Sequence, residues 1–152
     1  MILAYHDLGL LYSKQNLPKA AIHWLLESYK TGEQFYKTPI LLCQEYCKLN
    51  ELDKAREWYN KAMVLCEEVN DTLHIALLKV LYGIYIDRGN IENTLQEGIQ
   101  FFIENKSWEY TQDFALLLAN YYKDRSRYQE AMIYFEKVFD AQRKIFELEA
   151  LK

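Results

Sequence analysis

The chain has 152 residues, 51% of them apolar and 26% charged, with a formal net charge of −4. That is enough apolar material for the core of one domain, and too acidic a balance for nonspecific nucleic-acid binding, which needs basic surface to displace phosphate counterions. No apolar run is long enough to span a bilayer, and Met1-Ile2-Leu3-Ala4 has neither the basic flank nor the cleavage site of a signal peptide, so a cytoplasmic location is expected.

Apolar residues at helical spacing predict paired helices over 2–14 and 18–31, 36–49 and 52–69, 71–88 and 91–104, and 108–124 and 128–150. Turn-forming residues separate them at Gln15-Asn16-Leu17, Leu49-Asn50-Glu51, Arg88-Gly89-Asn90, Asn105-Lys106-Ser107 and Arg125-Ser126-Arg127. Pro18 and Pro39 fall at or near helix starts, where a missing N–H costs little. Three cysteines, an odd number, argue against a disulfide framework.

Two segments are near copies. Tyr5-x-x-Leu8-Gly9-x-x-Tyr12 leads to Ala21, and Pro39-x-x-Leu42-Cys43-x-x-Tyr46 leads to Ala55, placing the two alanines 34 residues apart, the period of a tetratricopeptide repeat. The interval of nine from aromatic to small residue recurs from Tyr85 to Thr94 and from Tyr122 to Ala131. The expectation is an all-α fold, a right-handed superhelix of about four helix pairs forming a single domain over 1–152, with Tyr12, Ala21, Tyr46, Ala55, Tyr122 and Ala131 buried. The third unit is irregular, with Leu81-Tyr82-x-x-Tyr85, Thr94 and Gly98 in place of the usual residues, and its longer spacing predicts a changed step there.

The last third carries a more specific pattern. Thr111-Gln112-Asp113-Phe114-Ala115, Ala119-Asn120-Tyr121-Tyr122, Tyr128-Gln129-Glu130-Ala131 and Tyr134-Phe135-Glu136-Lys137-Val138 resemble the end of the bacterial Rap family, the response-regulator aspartate phosphatases. Gln96-Glu97-Gly98-Ile99-Gln100-Phe101-Phe102 with Lys106-Ser107-Trp108, and the closing Arg143 to Lys152, are similar to that family as well. The resemblance implies the C-terminal repeat region, which in the family binds short secreted Phr peptides. It also implies that the N-terminal three-helix bundle, which acts on or binds response regulators, is missing from this chain. A peptide-binding interaction domain is therefore expected, with no catalysis, no cofactor and no metal. The alternatives are a regulator that still engages a response regulator, a degenerate structural remnant, or the repeat domain of a peptide-regulated transcription factor.

In a tetratricopeptide groove the first helix of each pair faces the ligand. The corresponding places hold Leu3, His6 and Leu10, then Lys37, Ile40 and Gln44, then Ala76, Lys79 and Gly83, then Asp113, Leu116 and Asn120. The candidate peptide contacts are His6, Lys37, Gln44, Lys79, Asp113 and Asn120. The amides of Gln44 and Asn120 can pair with a peptide backbone whatever its side chains, although solvated helix surface is the other reading of both. The lysine-and-asparagine carboxylate clamp of chaperone-tail domains is absent, since His6 and Leu10 stand at its places. Cys43 and Cys47 lie four apart but lack a histidine at complementary spacing, so buried cysteines are expected rather than a metal site. Trp24 and Trp58 read as packing between helices. The apolar start, with Ile2, Leu3, Leu8, Leu10 and Leu11, predicts a homo-oligomer through the N-terminal end.

Overall fold

The structure, a computed structural model, describes residues 2–31 and 36–152, with side chains from Tyr5 onward. The expectations for the side chains of Ile2 and Leu3 lie outside the described residues. The elements are α1 (Ile2–Lys14), α2 (Pro18–Lys30), α3 (Lys37–Lys48), α4 (Leu52–Glu68), α5 (Thr72–Leu81, continued by a π-helical segment Tyr82–Ile86), α6 (Ile91–Glu104), α7 (Trp108–Asp124) and α8 (Tyr128–Ala150). Among the described residues there is no strand, and the predicted helix boundaries agree with these to within a residue or two except at the end of α5.

The turns explain the interval of nine. At five of them one residue sits in the left-handed region: Asn16 (φ 58°), Asn50 (58°), Asn70 (56°), Lys106 (55°) and Ser126 (59°). Each is followed by a residue whose N–H reaches back to the carbonyl five positions earlier, Leu17 to Tyr12 (2.9 Å), Glu51 to Tyr46 (3.0 Å), Asp71 to Cys66 (2.9 Å), Ser107 to Phe102 (2.8 Å) and Arg127 to Tyr122 (2.9 Å). This is the Schellman closure of a helix C-terminus. That same residue then accepts the first bond of the next helix, from Ala21, Ala55, Ile75, Thr111 and Ala131 respectively. Five positions back and four forward make the interval of nine between aromatic and small residue. The interval is thus a backbone device, and it also joins Cys66 to Ile75 and Phe102 to Thr111, where the sequence pattern does not reveal it.

Tyr85 to Thr94 has the same interval by a different route. Thr94 does bond Asn90 at 2.9 Å, but in place of a Schellman pair the Asp87 N–H reaches Tyr82 across a π-helical turn at 2.8 Å. The irregular third unit thus ends its first helix with a widened turn, a feature that requires an extra residue in the helix.

The chain forms two compact units, one up to Arg88 and one from Gly89. In the first, successive helices pack on one another from α1 to α5, and α1 also touches α3, as α3 touches α5. Its core contains Ala21, Leu25, Leu42, Cys43, Ala55, Ala62, Cys66, Leu77 and Leu78. The second consists of α6, α7 and α8, with Leu95, Ile99, Phe102, Leu118, Ala119, Tyr122, Ala131 and Val138 buried. Five of the six residues expected in the core are buried, and Tyr12 is half-buried. Gly9 explains the close approach of α1 to α2, since a Cβ there would stand 2.6 Å from Leu25 Cγ and 3.3 Å from the Ala21 carbonyl oxygen.

Candidate functional site

In the first unit the expected site residues lie on α1, α3 and α5, but they differ in access. His6 is only 5% exposed, and its Nδ1 lies 2.9 Å from Thr38 Oγ1, so the ring is engaged in the α1–α3 contact. Burial lowers its pKa, the charge of Asp7 opposes that effect, and Lys37 adds to it. Ile40 is also buried, at 2% exposure. Lys37 and Gln44 are half-buried on α3, the ammonium of Lys37 lying 6.0 Å from the centre of the Tyr36 ring, and Lys79 is exposed on α5.

Two turns beyond His6 and Thr38 is a second polar contact, which the sequence pattern does not mark as special. Glu45 is fully buried, and its Oε2 accepts from Ser13 Oγ (3.0 Å), Lys48 Nζ (2.9 Å) and Gln44 Nε2 (3.3 Å), while Oε1 is buried with no partner. A third polar cluster joins α3 to α5: Asp71 caps α5 by accepting from the His74 N–H (3.1 Å), and its Oδ2 also binds the Tyr36 hydroxyl (2.8 Å) and His74 Nδ1 (2.7 Å). Burial opposes ionisation of Asp71, but the bonds from His74 and Tyr36 outweigh it and leave its pKa below the ordinary value. Helices α1, α3 and α5 are therefore held side by side by specific polar pairs.

In the second unit Asp113, Leu116 and Asn120 share one face of α7, at positions i, i+3 and i+7. Asp113 and Leu116 are exposed, Asn120 is half-buried, and Leu117 adds a second exposed aliphatic side chain. The opposite face, with Thr111, Phe114, Ala115, Leu118, Ala119 and Tyr122, is buried. Tyr122 fixes the end of this helix, donating its hydroxyl to Glu92 (2.9 Å) and accepting from Gln96 (2.8 Å). Arg127 closes a fork on Glu92 at 3.0 and 3.1 Å and lies over the Tyr122 ring at 4.6 Å. Burial and the bond to Glu92 push the Tyr122 hydroxyl up to about 12, while Arg127 and Tyr122 hold Glu92 below the usual carboxylate range. The α7 face thus stands on a rigid support.

The remaining candidates are structural. Cys43, Cys47 and Cys66 are free and buried, and burial holds the Cys66 thiol up at about 11. Among the described residues no three His, Cys, Asp or Glu side chains come together as a metal site. Trp58 packs edge-on against Tyr29 (4.9 Å between centroids) and Trp24 stacks with Tyr5 (5.7 Å). Among the described residues no helix is long and apolar enough to cross a membrane.

Comparison with known proteins agrees with this architecture. The family described as "Tetratricopeptide repeat" matches residues 115–149, which comprise most of α7 and α8. The chain is 31% identical over 98 residues to the regulatory protein RapF of Bacillus subtilis, covering 64% of this chain and 26% of RapF. It is 24% identical over 150 residues to response regulator aspartate phosphatase A of the same organism, covering 93% of this chain and 39% of that protein. The solved structure of a Rap protein complexed with Competence and Sporulation Factor has the same fold over 96% of this chain and 42% of its own, with a TM-score of 0.77 and 18% identity. The chain is a Rap-type tetratricopeptide-like repeat region. This Rap-type region spans well under half the length of either curated relative, so the activities named for the whole proteins do not pass to it directly.

Proposed function

We propose that this chain is a peptide-sensing region of a Rap-type regulator: it binds a short extended peptide through exposed side chains of its repeat helices and catalyses nothing by itself. One observation carries the reading. The solvent-facing row Asp113, Leu116 and Asn120 is backed by a fully packed opposite face, so its donors and acceptors are preorganised. The Asn120 amide suits a peptide backbone, Leu116 an aliphatic side chain, and Asp113 a positively charged terminus or side chain. Lys37, Gln44 and Lys79 are the contacts proposed in the first unit, with His6 acting beneath them to hold α1 on α3. The solved complex of a Rap protein with Competence and Sporulation Factor supports the ligand class, and the naming of phosphatase A supports a response regulator as a further partner of the whole protein.

Calorimetric titration with Competence and Sporulation Factor, against a scrambled control, tests this. Asn120→Ala should weaken binding by about 1–3 kcal/mol, the cost of leaving a backbone partner unpaired, whereas Lys123→Ala should matter less. Equal affinity for Asn120→Ala and the unaltered chain removes the site. Dephosphorylation of a phosphorylated response regulator by the purified chain overturns the non-enzymatic reading.

A further inference from the structure

A row of exposed apolar side chains outside the proposed peptide face lies on α8. Met132, Phe139 and Phe146 stand seven residues apart and are 63%, 66% and 75% exposed. Tyr128, 61% exposed, and half-buried Phe135 fill intervening positions of the same stripe. Ala131, Val138 and Ala141 are the buried residues of α8, so the stripe lies to one side of the surface that meets α7, and no residue after Ala141 is buried. The spacings of four, three and four from Tyr128 to Phe139, followed by Phe146 a heptad on with Gln142 between, form the kind of seam by which one helix packs along another.

We propose that a second copy of this chain occupies the stripe, α8 packing antiparallel on α8 about a two-fold axis close to Phe139. The charges beside the stripe select this partner and this direction. Glu136 and Arg143 each follow a stripe residue by four and so lie along the same edge. In the antiparallel two-fold arrangement Glu136 of each copy faces Arg143 of the other, whereas sliding the helices by a heptad sets Glu136 against Glu136. A two-fold interface needs this kind of self-complementarity, because each copy presents the same surface. The present partner of Arg143, Asp140 at 3.2 Å, is a pair in which both side chains are 64% exposed, and it competes weakly. On α1, by contrast, the described surface includes Leu11 at 49% exposure but no comparable stripe.

Sedimentation of the whole chain from low to high micromolar concentration is the test. The expected result is a dimer whose dissociation constant rises at least about tenfold in Phe139→Asp, with unchanged helical circular dichroism. Glu136→Arg and Arg143→Glu should each weaken the dimer, and the two together should restore it, a recovery that damaged folding cannot mimic. A monomer at every concentration overturns the proposal and leaves the stripe to a different partner. A dimer insensitive to Phe139→Asp also overturns it and moves association to another surface, such as the α1 end.

Discussion

Ser13 of α1 and Glu45 of α3, 32 residues apart in the chain, share a hydrogen bond of 3.0 Å on the same carboxylate oxygen that Lys48 approaches at 2.9 Å. All the polar partners of this buried side chain gather on Oε2, and Oε1 has none. Breaking such an arrangement from one side costs more than removing it whole, because a stranded buried charge keeps its desolvation cost. Lys48→Met should therefore destabilise the protein by about 1–3 kcal/mol and Ser13→Ala by about 1 kcal/mol, as judged by urea denaturation. The triple replacement Ser13→Ala, Glu45→Leu, Lys48→Met should recover most of that loss. A Lys48→Met protein as stable as the original removes the ion pair from the account of α1–α3 packing.

His6 gives the first unit a dependence on pH. Its pKa in the folded chain lies below the ordinary 6.5, chiefly through burial. The unfolded chain therefore takes up the proton first, so stability is full above 6.5 and declines as pH falls below it. A second loss follows further into acid, where Asp71 and Glu92, both held below their ordinary values of 3.8 and 4.5, must be protonated. Thermal melts across this range should show two descending stretches. His6→Asn should flatten the upper one and leave the lower intact; an unchanged upper slope would assign that titration elsewhere.

The fold was legible because its period is written by local backbone chemistry. Apart from Tyr85 to Thr94, each aromatic-to-small interval of nine is a Schellman closure plus one helical bond, so the sequence repeats wherever the turn repeats. The buried positions of Tyr46, Ala55, Tyr122 and Ala131 follow from that, and the tetratricopeptide pattern with them. The polar seam was not legible, because pairing His6 with Thr38 and Ser13 with Glu45 requires knowing that α1 lies beside α3. One signal was present: Glu45 lies between Leu42 and Tyr46 on the core-facing stripe of α3, with Lys48 a turn further on. The placement of His6 shows the converse, since groove position alone does not reveal that a neighbouring threonine engages its ring.

The five left-handed turn residues are not equivalent. Asparagine tolerates that conformation, whereas Lys106 carries a Cβ against the following carbonyl at a φ of 55°. Glycine removes this clash and keeps the backbone bonds from Lys106 to Ile103 (3.0 Å) and from Ser107 to Phe102 (2.8 Å). Lys106→Gly should raise stability by about 0.5–1 kcal/mol, less than the whole steric gain because glycine also loosens the unfolded chain. Asn50→Gly should change it by less, asparagine having less strain to relieve. A melting temperature that falls in Lys106→Gly would show that the lysine side chain contributes more than its backbone costs.

Gly9 tests how closely the first helix pair must pack. In an isolated helix Gly9→Ala would be favourable by about 1 kcal/mol, through backbone entropy. Here the new methyl group would stand 2.6 Å from Cγ and Cδ2 of Leu25, and Leu25 is itself fully buried and hemmed in. Moving α1 outward is resisted by the polar bonds from His6 and Ser13 to α3, so the clash cannot be relieved without loosening them. Overpacking of this kind costs about 1–3 kcal/mol, which should exceed the propensity gain and leave the substitution destabilising. Shortening the opposing side chain should reverse the sign. In the Leu25→Ala background, which creates a cavity of its own, Gly9→Ala should be neutral or stabilising, and the coupling between the two positions should exceed about 1 kcal/mol in a double-mutant cycle. Additive effects would mean that Gly9 serves α1 through backbone freedom alone and that Leu25 does not set the distance between the helices.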